Sequence, residues 1–489
     1  MAVAGPGPKP GSAFDLRIPT PEVGSKGRLI VEQDHFRFEQ DPPGTRRVLV
    51  GTNLTGMACF PTSAAQAEQW ADSLAFRGYN AVRFHHIDWV IRDFGWDIKE
   101  NADTFIVALK KRGIWVTIDL FSERRDLGPF KGGVLRGDAA TRADWLQYAK
   151  RLLTQPSGAR GCSAWKDEVA IFGLCPLNED DPRFLGVPSS SYDSAYRWME
   201  GEIRKIGFKG MLWDLNSGVD RQFLPTASRF DAEDFHVYWD HPKDDIFLNT
   251  SGVIQHWQFP NRMLPSKPWI CTEWGALPYN RLRGETGLFF ACQMAQYRAS
   301  CVLSYALATN ESMMGESKAA IDQYGFHSDP IRLATDRIMV LLLRKSGANV
   351  QMAWNKIGGA FTFNSTAVRA SVTESKGNRK AEFLGSLDGL ALKDSKRLLL
   401  VQFGDALNSG FKSQLLKDKV VFRATSRGKA PVRELPASWP VELDSDRPLQ
   451  AWSLDPITGE RRTRLECVET DHGRWRLVPK AINTEIVKL

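Results

Sequence analysis

Two stretches, VAIFGLCPLNED over residues 169–180 and PWICTEWGA over residues 268–276, decide how this chain is read. Each holds a short apolar run bounded by Pro, Gly and polar turn residues, the pattern of a strand covered on both faces. Each also delivers a glutamate toward its C-terminal end, Glu179 in the first and Glu273 in the second. A carboxylate at the exit of such a strand is held by rigid backbone. If both strands belong to one parallel barrel, the two acids converge.

Strand-like and helix-like segments alternate on either side of these stretches from residue 47 onward, which predicts parallel strands joined by helical crossovers. RVLVGTNLT (47–55) is followed by a helical segment at 63–78, with Trp70 and Leu74 one turn apart and Gly78 as its C-cap. NAVRFHH (80–86) is the second strand, and a helix at 103–111 leads to the third, GIWVTIDLF (113–121). A helix at 142–153 precedes the Glu179 strand, and an amphipathic stretch at 192–206 leads to MLWDLN (211–216). FHVYWDHP (235–242) is sixth and the Glu273 strand seventh; a helix at 287–298, CVLSYALAT (301–309) and a last helix at 330–345 complete eight units. The expected fold class is α/β, a (β/α)8 TIM barrel with enlarged loops, since such barrels usually take roughly 250 residues.

After residue 347 the pattern changes to short strand-like pieces, FTFNST, RLLLVQFG, KVVFRAT, PLQAWSLD and RWRLVP, separated by turn residues, which predicts an all-β sandwich. The expected division is a disordered Pro- and Gly-rich leader at 1–26, a barrel with an N-terminal hairpin at 27–346 and a β-sandwich accessory domain at 347–489. RLIVEQDHFRF (28–38) reads either as a hairpin across the barrel floor or as part of the sandwich.

Composition excludes several functional classes. With 43% hydrophobic and 25% charged residues, the chain is an ordinary globular protein. The net charge of +7 comes from scattered basic residues, and groups such as Lys110, Lys111 and Arg112 form no stripe, so no nucleic-acid partner is expected. Seven cysteines cannot all pair; Cys175, Cys271, Cys292 and Cys301 lie in apolar runs and read as buried thiols. No CxxC or histidine spacing indicates a metal, and no cofactor is called for. The start, MAVAGPGPKPGSAF, lacks the features of a signal peptide, and no apolar run reaches transmembrane length. The expectation is a secreted or periplasmic protein with its signal peptide absent from this chain, otherwise a cytoplasmic one, without a membrane partner.

Converging carboxylates are what glycoside hydrolysis requires, one to protonate the leaving oxygen and one to attack the anomeric carbon. Among the sixteen tryptophans, Trp89, Trp96, Trp239, Trp257 and Trp274 follow strands or lie in loops, where a flat ring can face a sugar; the competing reading for each is packing. With these residues in view, residues 47–345 resemble the clan A glycoside hydrolases, especially the cellulase-like enzymes of glycoside hydrolase family 5. The resemblance implies that Asn178 and Glu179 are the Asn-Glu pair ending the fourth strand, with Glu179 as acid/base and Asn178 on the sugar 2-hydroxyl. It further implies that Glu273 is the nucleophile, Arg83 the arginine beneath it, and His236 and Tyr238 the His-x-Tyr of the sixth strand. Two departures mark a divergent branch. Asp119, Leu120 and Phe121 end the third strand where the family often has histidine, so that contact is missing or supplied by His85 or His86, only one of which points inward on a strand. Tyr305 stands on the eighth strand where the family has tryptophan.

The function expected from these residues is a retaining β-glycoside hydrolase acting on an oligo- or polysaccharide by double displacement, with Glu179 as acid/base and Glu273 as nucleophile. Arg83 and a tyrosine hydroxyl should lower the pKa of Glu273, and the negative neighbour should raise that of Glu179. Asn178, Arg83, His85, His86, His236, Tyr238, Trp239, Trp274 and Tyr305 are the expected substrate-binding residues. Two alternatives use the same groove: a carbohydrate-binding pseudoenzyme, motivated by the two departures, and a transglycosylase using the same acids.

Overall fold

Both quoted stretches form strands buried at every position, Ile171–Cys175 and Trp269–Ala276. They belong to one eight-stranded parallel sheet in a computed structural model that describes residues 7–122, 130–216, 223–240, 245–248, 266–315, 319–345, 351–354, 360–375, 378–416 and 421–489. In chain order the strands are Leu49–Thr55, Ala81–His85, Trp115–Asp119, Ile171–Cys175, Met211–Leu212, Glu233–Trp239, Trp269–Ala276 and Cys301–Ala308. The hydrogen-bonded order runs from the fifth down to the first, then eighth, seventh and sixth. Two backbone bonds close the ring between fifth and sixth: Asp231 N–H to the Leu212 carbonyl at 2.8 Å and His236 N–H to the Asn216 carbonyl at 2.6 Å. This is the expected (β/α)8 barrel, and helices on its outer face explain why its strands read as unbroken apolar runs.

Local chemistry sets the element ends. The Ser63 side chain accepts from Gln66 N–H at the start of the helix Ala64–Phe76, and Gly78 beyond its end takes a φ of +80° that a side chain would disfavour. The fifth strand is shorter than expected. The Trp213 indole leaves the ladder and fills the space over Gly173, where a Cβ would sit 2.1 Å from the ring, so only glycine fits there.

The hairpin Leu29–Glu32 with His35–Phe38 covers the barrel floor: Phe38 stacks on Trp115 at 5.5 Å and Phe36 meets Phe172 edge-on at 6.4 Å, both at strand beginnings. The expectation of a disordered leader fails for residues 7–26. Phe14 and Leu16 are fully buried, Leu16 N–H donates to Phe76, Lys9 N–H donates to Thr458, and the Arg337 guanidinium lies 3.7 Å from the Phe14 ring centre. Pro and Gly content suggested disorder, but two apolar side chains find a groove between barrel and C-terminal sheets. Residues 1–6 lie outside the described residues.

The C-terminal region is antiparallel throughout, and each of the five sequence pieces contributes a strand. Leu398 and Leu400 on one face of its eight-stranded sheet pack with Val441, Leu443 and Leu477 of a three-stranded sheet, giving the sandwich. Leu399 and Val401 face the other way, into the core shared with the barrel. The two parts interlock: Ile246–Leu248, from the loop after the sixth barrel strand, pairs with Val421–Ser426. Arg283 also bridges Asp329 and Asp405 with both guanidinium ends buried. All seven cysteines are free thiols, five of them buried, and no described helix is long and apolar enough to cross a membrane.

Candidate active site

Arg83 organises the barrel mouth from below. Its fully buried guanidinium donates from Nη1 to Glu273 Oε1 at 2.5 Å and to Asn53 Oδ1 at 3.1 Å, and from Nη2 to Asp119 Oδ1 and Asn178 Oδ1, each at 2.8 Å. A planar fork of five donors suits this bridging of neighbouring strands, which a lysine could not copy. Because arginine only donates, Oδ1 must be the atom Asn178 turns inward, which leaves its amide N–H groups for the cavity that it lines.

Glu273 is the better-held acid. Its Oε2 accepts from the Tyr238 hydroxyl at 2.5 Å. Burial pushes the Glu273 pKa up, but the His236 and Arg83 charges outweigh burial and the opposing Glu179, and the carboxyl lies below its ordinary range. Burial and the Glu273 charge raise the Tyr238 phenol well above its own range, so it remains a donor. His85 Nδ1 bonds Asp119 Oδ2, and its Nε2 lies 3.7 Å from Glu273 Oε1. Burial and the Arg83 charge lower the His85 pKa, so the ring is neutral with its proton on Nδ1, facing an acceptor.

Glu179 stands four residues beyond its strand with φ +50°, a conformation few non-glycine residues adopt, and its N–H donates to Asn216 Oδ1 at 2.7 Å. Its side chain is 48% exposed. His236 lies between the acids, with Nδ1 3.1 Å from Glu179 Oε1 and 3.6 Å from Glu273 Oε2, and Nε2 3.1 Å from Thr272 Oγ1. Thr272 gives its hydroxyl proton to Asp234 at 2.5 Å, so toward His236 it accepts, and the imidazole carries protons on both nitrogens. Burial works against that charge, but Glu273 and Glu179 raise the His236 pKa above its ordinary value. The same pairing reverses the expectation for Glu179. Burial raises it, but the His236 hydrogen bond and charge, with Lys131 and Arg83, bring it down to about 2.

One donor atom each from Glu179, His236 and Glu273 lies within 4.8 Å of the others, the spacing at which such groups could also hold a cation. All three are already engaged by hydrogen bonds, and we assign no metal to them. Glu179 and Glu273 face a cavity of about 750 Å³ that Asn178, His85, His86, Tyr238 and Tyr305 also line. The alternation argument for the two histidines is corrected: His86 leaves the strand at φ +59°, so its ring centre lies 3.9 Å from that of His85 at a tilt of 32° and both reach the cavity. Tyr305 meets His85, Tyr238 and Tyr324 edge-on at 5.6, 5.9 and 6.3 Å, and Trp89 forms another wall.

The remaining expected residues lie elsewhere. Arg83 and His236 are beneath the cavity and act on the acids. Trp274 points to the opposite face from Glu273 and stacks on Phe290 at 4.7 Å, so it is core and not groove; alternation along the strand is the reason. Trp239 is half-buried beyond the lining, and Trp96 packs on Tyr148 at 5.4 Å. Trp257 is outside the described residues. Sequence reading missed three supports. Asp119 was legible as a third strand-exit acid, whereas Asn216 and Lys131, whose ammonium bonds the Asn178 carbonyl, carry no sequence signal of their own.

No protein-family model and no curated protein matches the sequence. Among solved structures, the endo-beta-1,4-mannanase from Thermotoga petrophila is similar at a TM-score of 0.50 and 12% identity, over 74% of this chain and 96% of that one. The endo-1,4-beta-mannanase from Rhizomucor miehei is similar at 0.43 and 14% identity, over 57% and 90%, and an endogalactoceramidase at 0.42 and 13%, over 94% and 100%. At these identities the likeness is one of fold. The chain shares the (β/α)8 barrel fold of the Thermotoga petrophila mannanase, the fold that its alternating segments led one to expect.

Proposed function

We propose that this protein is a retaining β-glycoside hydrolase that cleaves β-linked glycans, with Glu273 as nucleophile and Glu179 as acid/base. The carrying observation is a buried, ionised Glu273, clasped by Arg83 and Tyr238, whose carboxylate lies within 4.8 Å of the half-exposed Glu179 across one cavity. Carboxyl groups about 5 to 5.5 Å apart favour a glycosyl-enzyme intermediate over direct attack by water. One proton is shared across the Glu179–His236 bond. As negative charge builds on the glycosidic oxygen that proton passes through Glu179 to the leaving group, and Glu179 then takes a proton from water to release the ester on Glu273. Asn178 offers its amide to the neighbouring hydroxyl, and Tyr305 and Trp89 offer ring faces to the sugar.

The test is Glu179→Gln and Glu273→Gln on an activated aryl β-glycoside, with β-1,4-mannan and β-glucan oligomers as natural probes. Glu179→Gln should lower turnover about 10²- to 10⁴-fold on substrates that need acid help. Glu273→Gln should abolish it. Azide should restore turnover to Glu179→Ala as a β-glycosyl azide. Full activity in either glutamine variant would overturn the assignment, and glycan binding without turnover by the unaltered protein would mark a pseudoenzyme.

A further inference from the structure

Directly behind the acid/base loop lies a carboxyl pair that the mechanism does not use. Asp180 follows Glu179, Asp214 follows the fifth strand, and both are fully buried away from the cavity lining. Both oxygens of Asp180, Oδ2 of Asp214 and the hydroxyl of Tyr192 have no hydrogen-bond partner at good geometry among the described residues. Oδ1 of Asp214 accepts a weak bond from the Cys175 thiol, at 3.4 Å, and the Leu177 N–H lies against the same carboxyl group. The titratable groups facing the pair are Cys175 on the fourth strand, Tyr192 and Tyr196 on the helix Ser190–Ile206, and Lys131 on the helix Phe130–Arg136. None forms an ion pair with either aspartate among the described residues.

Two carboxylates that form no ion pair and are cut off from water cannot both stay ionised against the more distant charge of Lys131. A proton on one turns it into a donor to the other and satisfies both at once. Burial drives both pKa values up, and for Asp214 the Asp180 charge adds to it. Connectivity gives the pair a task. Asn216 holds the Glu179 N–H, and Asp214, two residues earlier on the same segment, faces Asp180, so adjacent residues of one loop are tied to one neighbouring segment. Those two ties hold Glu179 at its unfavourable φ of +50°.

We propose that Asp180 and Asp214 share one proton and that this carboxyl–carboxylate pair positions Glu179, releasing the acid/base loop when the proton is lost on the alkaline side. The positioning half rests on the role proposed for Glu179; the shared proton does not.

Infrared difference spectra of the full chain, unaltered minus Asp180→Asn and unaltered minus Asp214→Asn at pH 6, test the proton directly and cancel other buried acids. A protonated-carboxyl C=O band belonging to the pair should be present in each difference and should bleach in the unaltered protein as pH rises, a reading that needs no variant to fold. Absence of the band overturns the shared proton. So does a thermal midpoint that falls on treatment with a chelator and recovers with added calcium, because a bound cation then replaces the proton. The pH profile of kcat tests positioning: in Asp180→Asn, which keeps a neutral donor, the alkaline limb should move to higher pH, whereas Asp180→Ala should lose kcat about tenfold or more with KM little changed. A band that is present with an alkaline limb that stays in place overturns positioning alone. A protein that turns over no glycan still leaves the infrared result decisive, so failure of the catalytic reading stays separate.

Discussion

Tyr238 donates to Glu273 Oε2 from the adjacent strand, two residues beyond the point where His236 pairs with Glu273 in the sheet register. Residues two apart on a strand share a face, so His236 and Tyr238 grip one carboxylate from the same side. Arg83 completes the clasp from the second strand.

Tyr238→Phe removes one charge-assisted hydrogen bond and little volume. A bond of that kind contributes about 1.5 to 3 kcal/mol, so kcat/KM on an aryl glycoside should fall about 10- to 100-fold. Thermal stability should change little. Unchanged steady-state kinetics would show that Arg83 suffices to hold the nucleophile.

His236→Gln tests where the catalytic proton resides. The pKa of His236 is raised above 6.5, so its pairing stabilises the fold below that value and is lost as pH rises through the raised pKa. That of Glu179 is lowered from 4.5 to about 2, so its contribution is present above 4.5 and lost as pH falls toward 2. Stability should therefore be flat between those limits and decline on both sides, as a thermal-shift series across pH would record. In His236→Gln the proton can sit only on Glu179, which binds it less tightly than the pair does, so the alkaline limb of kcat/KM should move to lower pH. A limb that stays in place would assign the proton to another group.

Trp89 and Trp274 should behave oppositely on truncation. Trp274→Ala opens a hole against Phe290 and should cost about 3 to 5 kcal/mol of stability, seen by chemical denaturation, with KM nearly constant in whatever folds. Trp89→Ala should raise KM for an oligosaccharide with little loss of stability. A raised KM in the Trp274 variant would return that ring to the groove.

Phe14→Ala addresses the N-terminal segment. The ring is fully buried beneath Arg337 and against Gly459, so its loss should cost about 3 to 5 kcal/mol, which a denaturant titration would detect. A change near zero would mean that residues 7–26 contribute nothing to the fold.

The barrel and its two acids were legible because their signals are local and repeated. Strands covered on both faces leave apolar runs that no solvent-exposed segment would show, and a glutamate at such a run's end marks itself. The disposition of the histidines and tryptophans was not legible in the same way, since a single residue in the left-handed region redirects His86, and strand alternation sends Trp274 into the core beside a neighbour distant in sequence. Phe14 was hidden for a related reason: its groove exists only once barrel and C-terminal sheets meet.

By itself, then, the sequence determined the eight-fold alternation, the antiparallel C-terminal region and which carboxylates could meet, since strand pattern and chain order depend on near neighbours. Only the tertiary structure decided the protonation of Glu179, the charge on His236 and the burial of Asp180 against Asp214. A pKa reports the summed field and solvation of groups brought together from distant parts of the chain, and that sum has no value until the ring of strands has closed around it.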